Sequence, residues 1–374
     1  MDIQSITLRL IESPLKIPFI THLETVTKRQ AIIIEAKDSD GISGFGEADP
    51  FSSPWYSGET IVTCWHALLD FLVPMTLQQR ISDPSGFDQL LGSVRGNNMA
   101  KSGLGQAIWD LYARQKGVYI GKLFGSERKK VTAGAVIAAK DPKEAVEQIQ
   151  RYSEAGYKRY KIKISRQNDL NLLSAIRQHF PDGELMADAN SSYSIQDMDH
   201  LKGLDSFGLQ MIEQPFAYND LVDHAYLQAE IKTPVCLDES IASFQDARAA
   251  LALGSCKIIN IKMARVGGWS EAVRIHDLCL KEQLPVWCGG MIEFGVAKAH
   301  SIALASLKGF AMPGDLFASS RYWEEEIVEP EIIVDHGFVR VPDQPGMGFT
   351  VNRKNLEKLT VNETTIRWNE SRPQ

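Results

Sequence analysis

Five charged side chains recur along this chain at nearly constant spacing. Lys163, Asp188, Glu213 and Asp238 stand 25 residues apart in succession, and Lys262 follows 24 residues later. Lys161 lies two positions before Lys163 in "YKRYKIKIS" (157–165), so both ammonium groups share one face of any strand built there. Asp188, Glu213 and Asp238 each end a short apolar run: "ELMAD", "LQMIE" and "PVCLD". A single acid at a strand end is an ordinary turn residue. Three in phase, flanked by lysine strands in the same phase, favour a shared site. Gathered carboxylates repel unless a cation lies among them, and an oxygen-only ligand set suits Mg2+ or Mn2+ better than zinc.

The lysine pair then has a use. Ammonium groups about 7 Å apart repel by roughly 2.4 kcal/mol at an effective dielectric of 20. That depresses the pKa of one of them, before carboxylates and metal are counted. A lysine brought toward neutrality serves as a general base, and its charged neighbour stabilises an anion. The implied chemistry is removal of the proton α to a substrate carboxylate, with Lys262 meeting the other face. The alternative is that Lys161 and Lys163 snorkel from an edge strand.

These side chains meet only if each unit of about 25 residues sends one strand to a common mouth. From residue 131 the sequence repeats a short apolar strand, a polar loop and an amphipathic helix. Strand candidates are 132–138, 160–164, 184–188, 209–213, 234–238, 258–262 and 285–289, with "FAM" (310–312) as an eighth. Alternation on this spacing predicts parallel βαβ units, and eight strands favour a closed barrel over an open doubly wound sheet. Periodicity alone does not decide closure. The first 130 residues group strands, then helices around 58–73 and 98–116, as a separate α+β domain does. The expected division is a domain over 1–130, a barrel over 131–324, and a tail from about 325 to 374 that rejoins the first domain. No phosphate loop competes: "GISGFGEAD" (41–49) lacks G-x-G-x-x-G spacing, and "GVYIGK" (117–122) is one residue short of a P-loop.

The formal net charge of −7 argues against nucleic acid or an anionic membrane as partner. "MDIQSITLRL" has no apolar core of a secretory leader, and no apolar run reaches membrane-spanning length. The five cysteines form no C-x-x-C pair and read as buried thiols of a cytoplasmic protein.

The segments "KIK" (161–163), "DAN" (188–190), "EQP" (213–215), "DES" (238–240) and "KMARVGG" (262–268) resemble the signature of the enolase superfamily, specifically its muconate-lactonizing subgroup. "GGMIEFGVAKAHSIALASL" (289–307), "PGDL" (313–316) and "FGEADPFSSPWYSGET" (45–60) are similar to stretches of the o-succinylbenzoate synthases and N-succinylamino acid racemases within it. The resemblance implies an α/β fold, a modified TIM barrel (β/α)7β with an N-terminal α+β capping domain. It implies Mg2+ on Asp188, Glu213 and Asp238, and Lys163 as the base that returns its proton to a departing hydroxide. Lys262 is implied over the other face, with Lys161 polarising the carboxylate. Asn190 and Glu239 would orient these groups, and Phe19, Gly290, Met291 and Ile292 would contact substrate. The implied substrate is a small carboxylate with a succinyl arm. It would be dehydrated in menaquinone synthesis or, alternatively, racemised as an N-succinylamino acid, by a homo-oligomer. A non-catalytic metal-binding barrel is the remaining alternative.

Departures are also visible. Phe294 stands where the resemblance implies a small or hydroxylic residue, which bears on the shape of the acyl pocket. The seventh strand ends "VWCGG" without the histidine of mandelate-racemase-like relatives, and His276 reads as a helix residue. Asp315 stands alone where dipeptide epimerases carry D-x-D. Arg265 reads either as a modulator of Lys262 or as a solvent-exposed loop residue. Gly267 and Gly268 either admit the substrate's tail or form a loop and cap.

Overall fold

The computed structural model describes residues 1–368 except His22, Arg80, Ser82 and Lys140. The last six residues of the expected tail, and His22 beside Phe19, lie outside the described residues. Among the described residues no helix is long and apolar enough to cross a membrane.

The N-terminal strands β1 (Ile3–Ile20), β2 (Thr25–Asp38) and β3 (Ser43–Ala48) form an antiparallel meander. Asp38 Oδ1 sets the tight turn between β2 and β3 by accepting from the amides of Asp40 and Ile42 at 3.0 and 2.8 Å. Helix α1 (Asn98–Gln115) lies across this sheet. Gly44 and Gly46 of β3 let it approach, because a Cβ at either would strike helix backbone around Gly103 and Ala107. Two of the glycines of "GISGFGEAD", Gly44 and Gly46, therefore serve helix–sheet packing, while Gly41 lies in the turn with φ +84°. Near the C-terminus, residues Thr360–Arg367 add a strand antiparallel to β1.

Glu35 of β2 ties this sheet to the returning chain. Its carboxylate accepts from Arg9 at 2.8 Å, from both Arg353 terminal nitrogens at 2.6 Å, and from Ser43 at 2.8 Å. Burial opposes its ionisation, but these partners outweigh it and hold the pKa at about 2, against an ordinary 4.5. A depressed carboxyl stabilises the fold fully above the unfolded value, and that stability fades as pH falls toward 2. Glu35→Gln is expected to cost roughly 1–2 kcal/mol at neutral pH, solvent screening included. Denaturant unfolding across pH should show the gap to wild type closing between about pH 4.5 and 2.

The second half supplies seven parallel strands in sequential order: β4 (Ala135–Ile137), β5 (Arg159–Lys163), β6 (Glu184–Asp188), β7 (Ile212–Glu213), β8 (Val235–Leu237), β9 (Ile258–Ile261) and β10 (Val286–Cys288). Single bridges close the circle: Phe310 pairs with Val286 and Gly314 with Ala133. Gly314 also donates to Thr132 O at 2.9 Å, and Gly134 donates to Gly314 O at 2.7 Å. The eighth strand expected at 310–312 is therefore not an extended strand. Its backbone is spent locally, Phe310 N on Leu307 O and Ala311 N on Gly309 O.

The first candidate, 132–138, also divides. Lys130–Thr132 pairs antiparallel with tail residues Phe338–Arg340, and the barrel strand begins only at Ala135. Gly134 sits at the break, where a Cβ would strike the Arg159 guanidinium. Inside the barrel, Met186, Met211, Cys236, Ile258 and Trp287 form a small apolar layer. The charged residues sit with it, on inward-facing positions of successive strands.

Candidate active site

Strand β5 is hydrogen-bonded on both sides, so its lysines do not lie on an edge. Its period of two turns Arg159, Lys161 and Lys163 inward. Register places Lys163 beside Asp188, and Asp188 beside Glu213. Lys161 Nζ lies 2.8 Å from Asp188 Oδ2, 2.7 Å from Glu213 Oε2 and 3.0 Å from Asp315 Oδ2. Lys163 Nζ reaches the same Asp188 oxygen at 2.7 Å and Asn190 Oδ1 at 2.6 Å. The two ammonium groups are thus bridged by a carboxylate.

Lys161 is the charged member of the pair. Burial alone would lower the pKa of Lys161, but Asp188, Asp315 and Glu213 raise it well above the ordinary value. These carboxylates favour the ammonium form of Lys161 over its neutral form.

Across the barrel, Lys262 Nζ lies 2.8 Å from Asp238 Oδ2 and 3.0 Å from the Tyr56 hydroxyl. Arg265 is buried and pairs with the other Asp238 oxygen, while donating to Ile241 O at 2.8 Å and to Asn260 O. It is therefore no solvent-exposed loop residue. Burial opposes charge on Asp238, yet Lys262 and Arg265 hold its pKa at about 2. The Lys262 pKa is raised, Asp238 outweighing desolvation. Glu239 accepts from Asn190 Nδ2 at 3.0 Å, and burial beside Asp238 and Asp188 pushes its pKa up to about 7.

Among the described residues no three acidic, histidine or cysteine side chains converge closely enough to hold an ion as they stand, because the lysines and Arg265 occupy their oxygens. The donor set nevertheless fits a hard divalent cation. Asp188, Glu213 and Asp238 are all essentially buried. Glu213 Oε1 accepts from Asn260 Nδ2 at 2.9 Å, but Oε2 lacks hydrogen-bond geometry even toward Lys161. Burial and the Asp188 charge push Glu213 up to about 8. Only oxygen ligands are offered, and the strain among them is of the kind a dication relieves.

A cavity of about 50 Å³ is lined by Lys161, Lys163, Lys262 and Asn190, together with Phe19, Gly290, Met291 and Ile292. The Phe19 ring lies 5.7 Å from Lys163 Nζ. Ile292 has φ +60°, a strained conformation for a β-branched residue. Met291 beside it is pinned at both ends: its amide donates to Glu293 at 2.6 Å and its carbonyl accepts from Arg29 at 3.2 Å. Phe294 does not line the cavity. It is buried and stacks on Trp323 at 3.9 Å. Asp315 pairs with Lys161 and Arg159 and leaves no carboxylate for a substrate amine. Gly267 and Gly268 have φ +96° and +118° and join Met263–Val266 to the helix Trp269–Lys281, the loop-and-cap role. His276 is buried in that helix and stacks on Phe310 at 5.4 Å.

Sequence reasoning missed Arg159, Asn260 and Tyr56. Arg159 and Asn260 stand two residues before Lys161 and Lys262, so the face that carries the lysines also carried these signals. Tyr56 comes from a capping-domain loop, which strand periodicity cannot place.

Two family descriptions account for most of the length. The mandelate racemase/muconate lactonizing enzyme N-terminal domain matches residues 5–125, and the enolase C-terminal domain-like region matches 144–355. The chain belongs to the enolase superfamily. Among relatives in the superfamily, an o-succinylbenzoate synthase of Geobacillus stearothermophilus is 49% identical over 361 residues, 96% of each chain. An N-succinylamino acid racemase of Thermus thermophilus is 39% identical over 362 residues, 96% of this chain and 98% of the relative. A solved enolase-superfamily structure from Listeria innocua superposes with a TM-score of 0.96 at 39% identity, covering 99% of this chain and 100% of the other.

Proposed function

We propose that this chain dehydrates 2-succinyl-6-hydroxy-2,4-cyclohexadiene-1-carboxylate to o-succinylbenzoate in menaquinone synthesis. The observation that carries this reading is one cavity lined by Lys163 and Lys262 together, with Lys161 beside them. Asp188, Glu213 and Asp238 would hold Mg2+, or Mn2+, which when bound supplies positive charge against the substrate carboxylate. Lys163, steadied by Asp188 and Asn190, takes the proton from the carbon next to that carboxylate. It then gives the proton to the hydroxyl leaving from the same face, so that water departs and the ring becomes aromatic. Lys262 stays charged between Asp238 and Tyr56 and faces the negative charge that builds on the substrate. Lys161 stays charged beneath it. Asn190 and Glu239 fix the direction of Lys163, and Phe19, Gly290, Met291 and Ile292 enclose the substrate.

A second reading, racemisation of N-succinylamino acids, is favoured by the same pair of lysines, since either could act as base. Deciding between the two requires both substrates. The first reading expects kcat/KM for the cyclohexadiene acid to exceed that for N-succinylphenylalanine by about tenfold or more. The reverse order would make racemisation the principal activity. The same reading takes the protein as a cytoplasmic homo-oligomer acting on small carboxylates. It takes residues 1–130 with the tail from about 325 as the cap, and 131–324 as the barrel; pairing of β1 with Thr360–Arg367 supports that division.

A further inference from the structure

The catalytic cavity continues outward into a cleft of about 920 Å³. The two share Phe19, Val136, Lys163, Asn190, Phe317 and Tyr322. One wall of the cleft carries Arg321, whose guanidinium has no role in the chemistry described above. Arg321 donates to Val136 O at 3.0 Å, and Val136 pairs in register with Lys161. The group is therefore anchored to the strand next to the lysine strand. Its carbon lies 5.4 Å from the Tyr152 ring and 5.3 Å from the Tyr322 ring. Its Nε is buried without an acceptor. The groups that act on its charge are Tyr322, Tyr152 and Tyr157, and among the described residues no carboxylate pairs with it. Of the acids that line the cleft, Asp188 is held by the two lysines and Glu144 accepts from Gln148 at 3.2 Å.

A guanidinium held by aromatic rings, the Tyr322 hydroxyl and one carbonyl, facing a cleft whose own acids are engaged elsewhere, is a site for an external anion. Its planar fork suits a carboxylate. We propose that Arg321 binds the terminal carboxylate of the substrate's succinyl arm, which leaves the catalytic cavity past Val136 and Tyr322. This rests on the function proposed above and adds what selects the arm: charge recognition in the outer cleft, separate from the lysines that act on the ring carboxylate.

The test is calorimetric titration of the Mg2+-loaded protein with two ligands. One is o-succinylbenzoate. The other is 2-butanoylbenzoate, which keeps the ring carboxylate and ketone but ends in a methyl group. Arg321→Met should weaken o-succinylbenzoate binding by about ten- to a hundredfold, the usual worth of a charge-assisted hydrogen-bonded pair, and should largely erase the preference of wild type for it over 2-butanoylbenzoate. Arg321→Lys, which keeps the charge and spares the fold, should retain part of that preference. Equal loss for both ligands would reduce Arg321 to a support for Val136 and overturn the inference, as would no loss for either. Wild type that binds neither ligand would overturn the proposed function itself, and this inference with it.

Discussion

Replacing Lys163 by alanine is expected to lower turnover of the cyclohexadiene acid by about 10²–10⁴-fold, the usual contribution of a positioned general base. The fold should survive. Lys163 shares Asp188 Oδ2 with Lys161, so the acid keeps a cation at 2.8 Å when Lys163 is removed. Asn190 loses one partner and retains Glu239. The thermal midpoint of the variant should therefore lie within a few degrees of wild type, since a partly exposed side chain is lost without stranding a buried charge. Rates and thermal unfolding measured on one preparation separate the two effects. Turnover above a tenth of wild type would remove Lys163 from the proton transfer.

Lys161→Met should behave in the opposite way, with a large loss of stability that Mg2+ partly restores. Without Lys161, Asp188 still has Lys163 at 2.7 Å and Asp315 still has Arg159 at 3.1 Å. Among the described residues Glu213 keeps only the Asn260 amide at 2.9 Å. Removing one partner of a buried ion pair costs about 3–5 kcal/mol. A divalent cation on Asp188, Glu213 and Asp238 would replace much of the missing charge, so the midpoint should rise more steeply with Mg2+ in the variant than in wild type. Thermal unfolding with chelator and with millimolar Mg2+ reads this directly. An identical deficit in both conditions would mean that the three acids are not where the cation binds.

Much of the site is legible in the sequence because a parallel barrel turns periodicity into place. A charge repeated every 25 residues at the end of an apolar strand must arrive at the same mouth, and Asp188 and Glu213 do sit in register. Along β5 the same rule also placed Arg159 inward, although the lysines alone were read as chemistry. What was not legible depends on contacts with no local signature. Tyr56 reaches Asp238 across 182 residues of sequence. The charged state of Lys161 depends on three acids from three other segments, which repulsion along its own strand does not show. The eighth place in the barrel is held by single bridges at Phe310 and Gly314 and not by an extended strand, because Leu307 and Gly309 take up the amides of "FAM" locally. Phe294 follows residues that line the cavity, Met291 and Ile292. Its ring turns the other way, onto Trp323.

The most direct test of the account is turnover of 2-succinyl-6-hydroxy-2,4-cyclohexadiene-1-carboxylate by the purified protein, with Mg2+ and then with excess chelator. Lysines and acids acting as one site predict o-succinylbenzoate formation that chelator stops and added Mg2+ restores. Absence of product from intact, Mg2+-loaded protein, or formation that chelator leaves untouched, would contradict it.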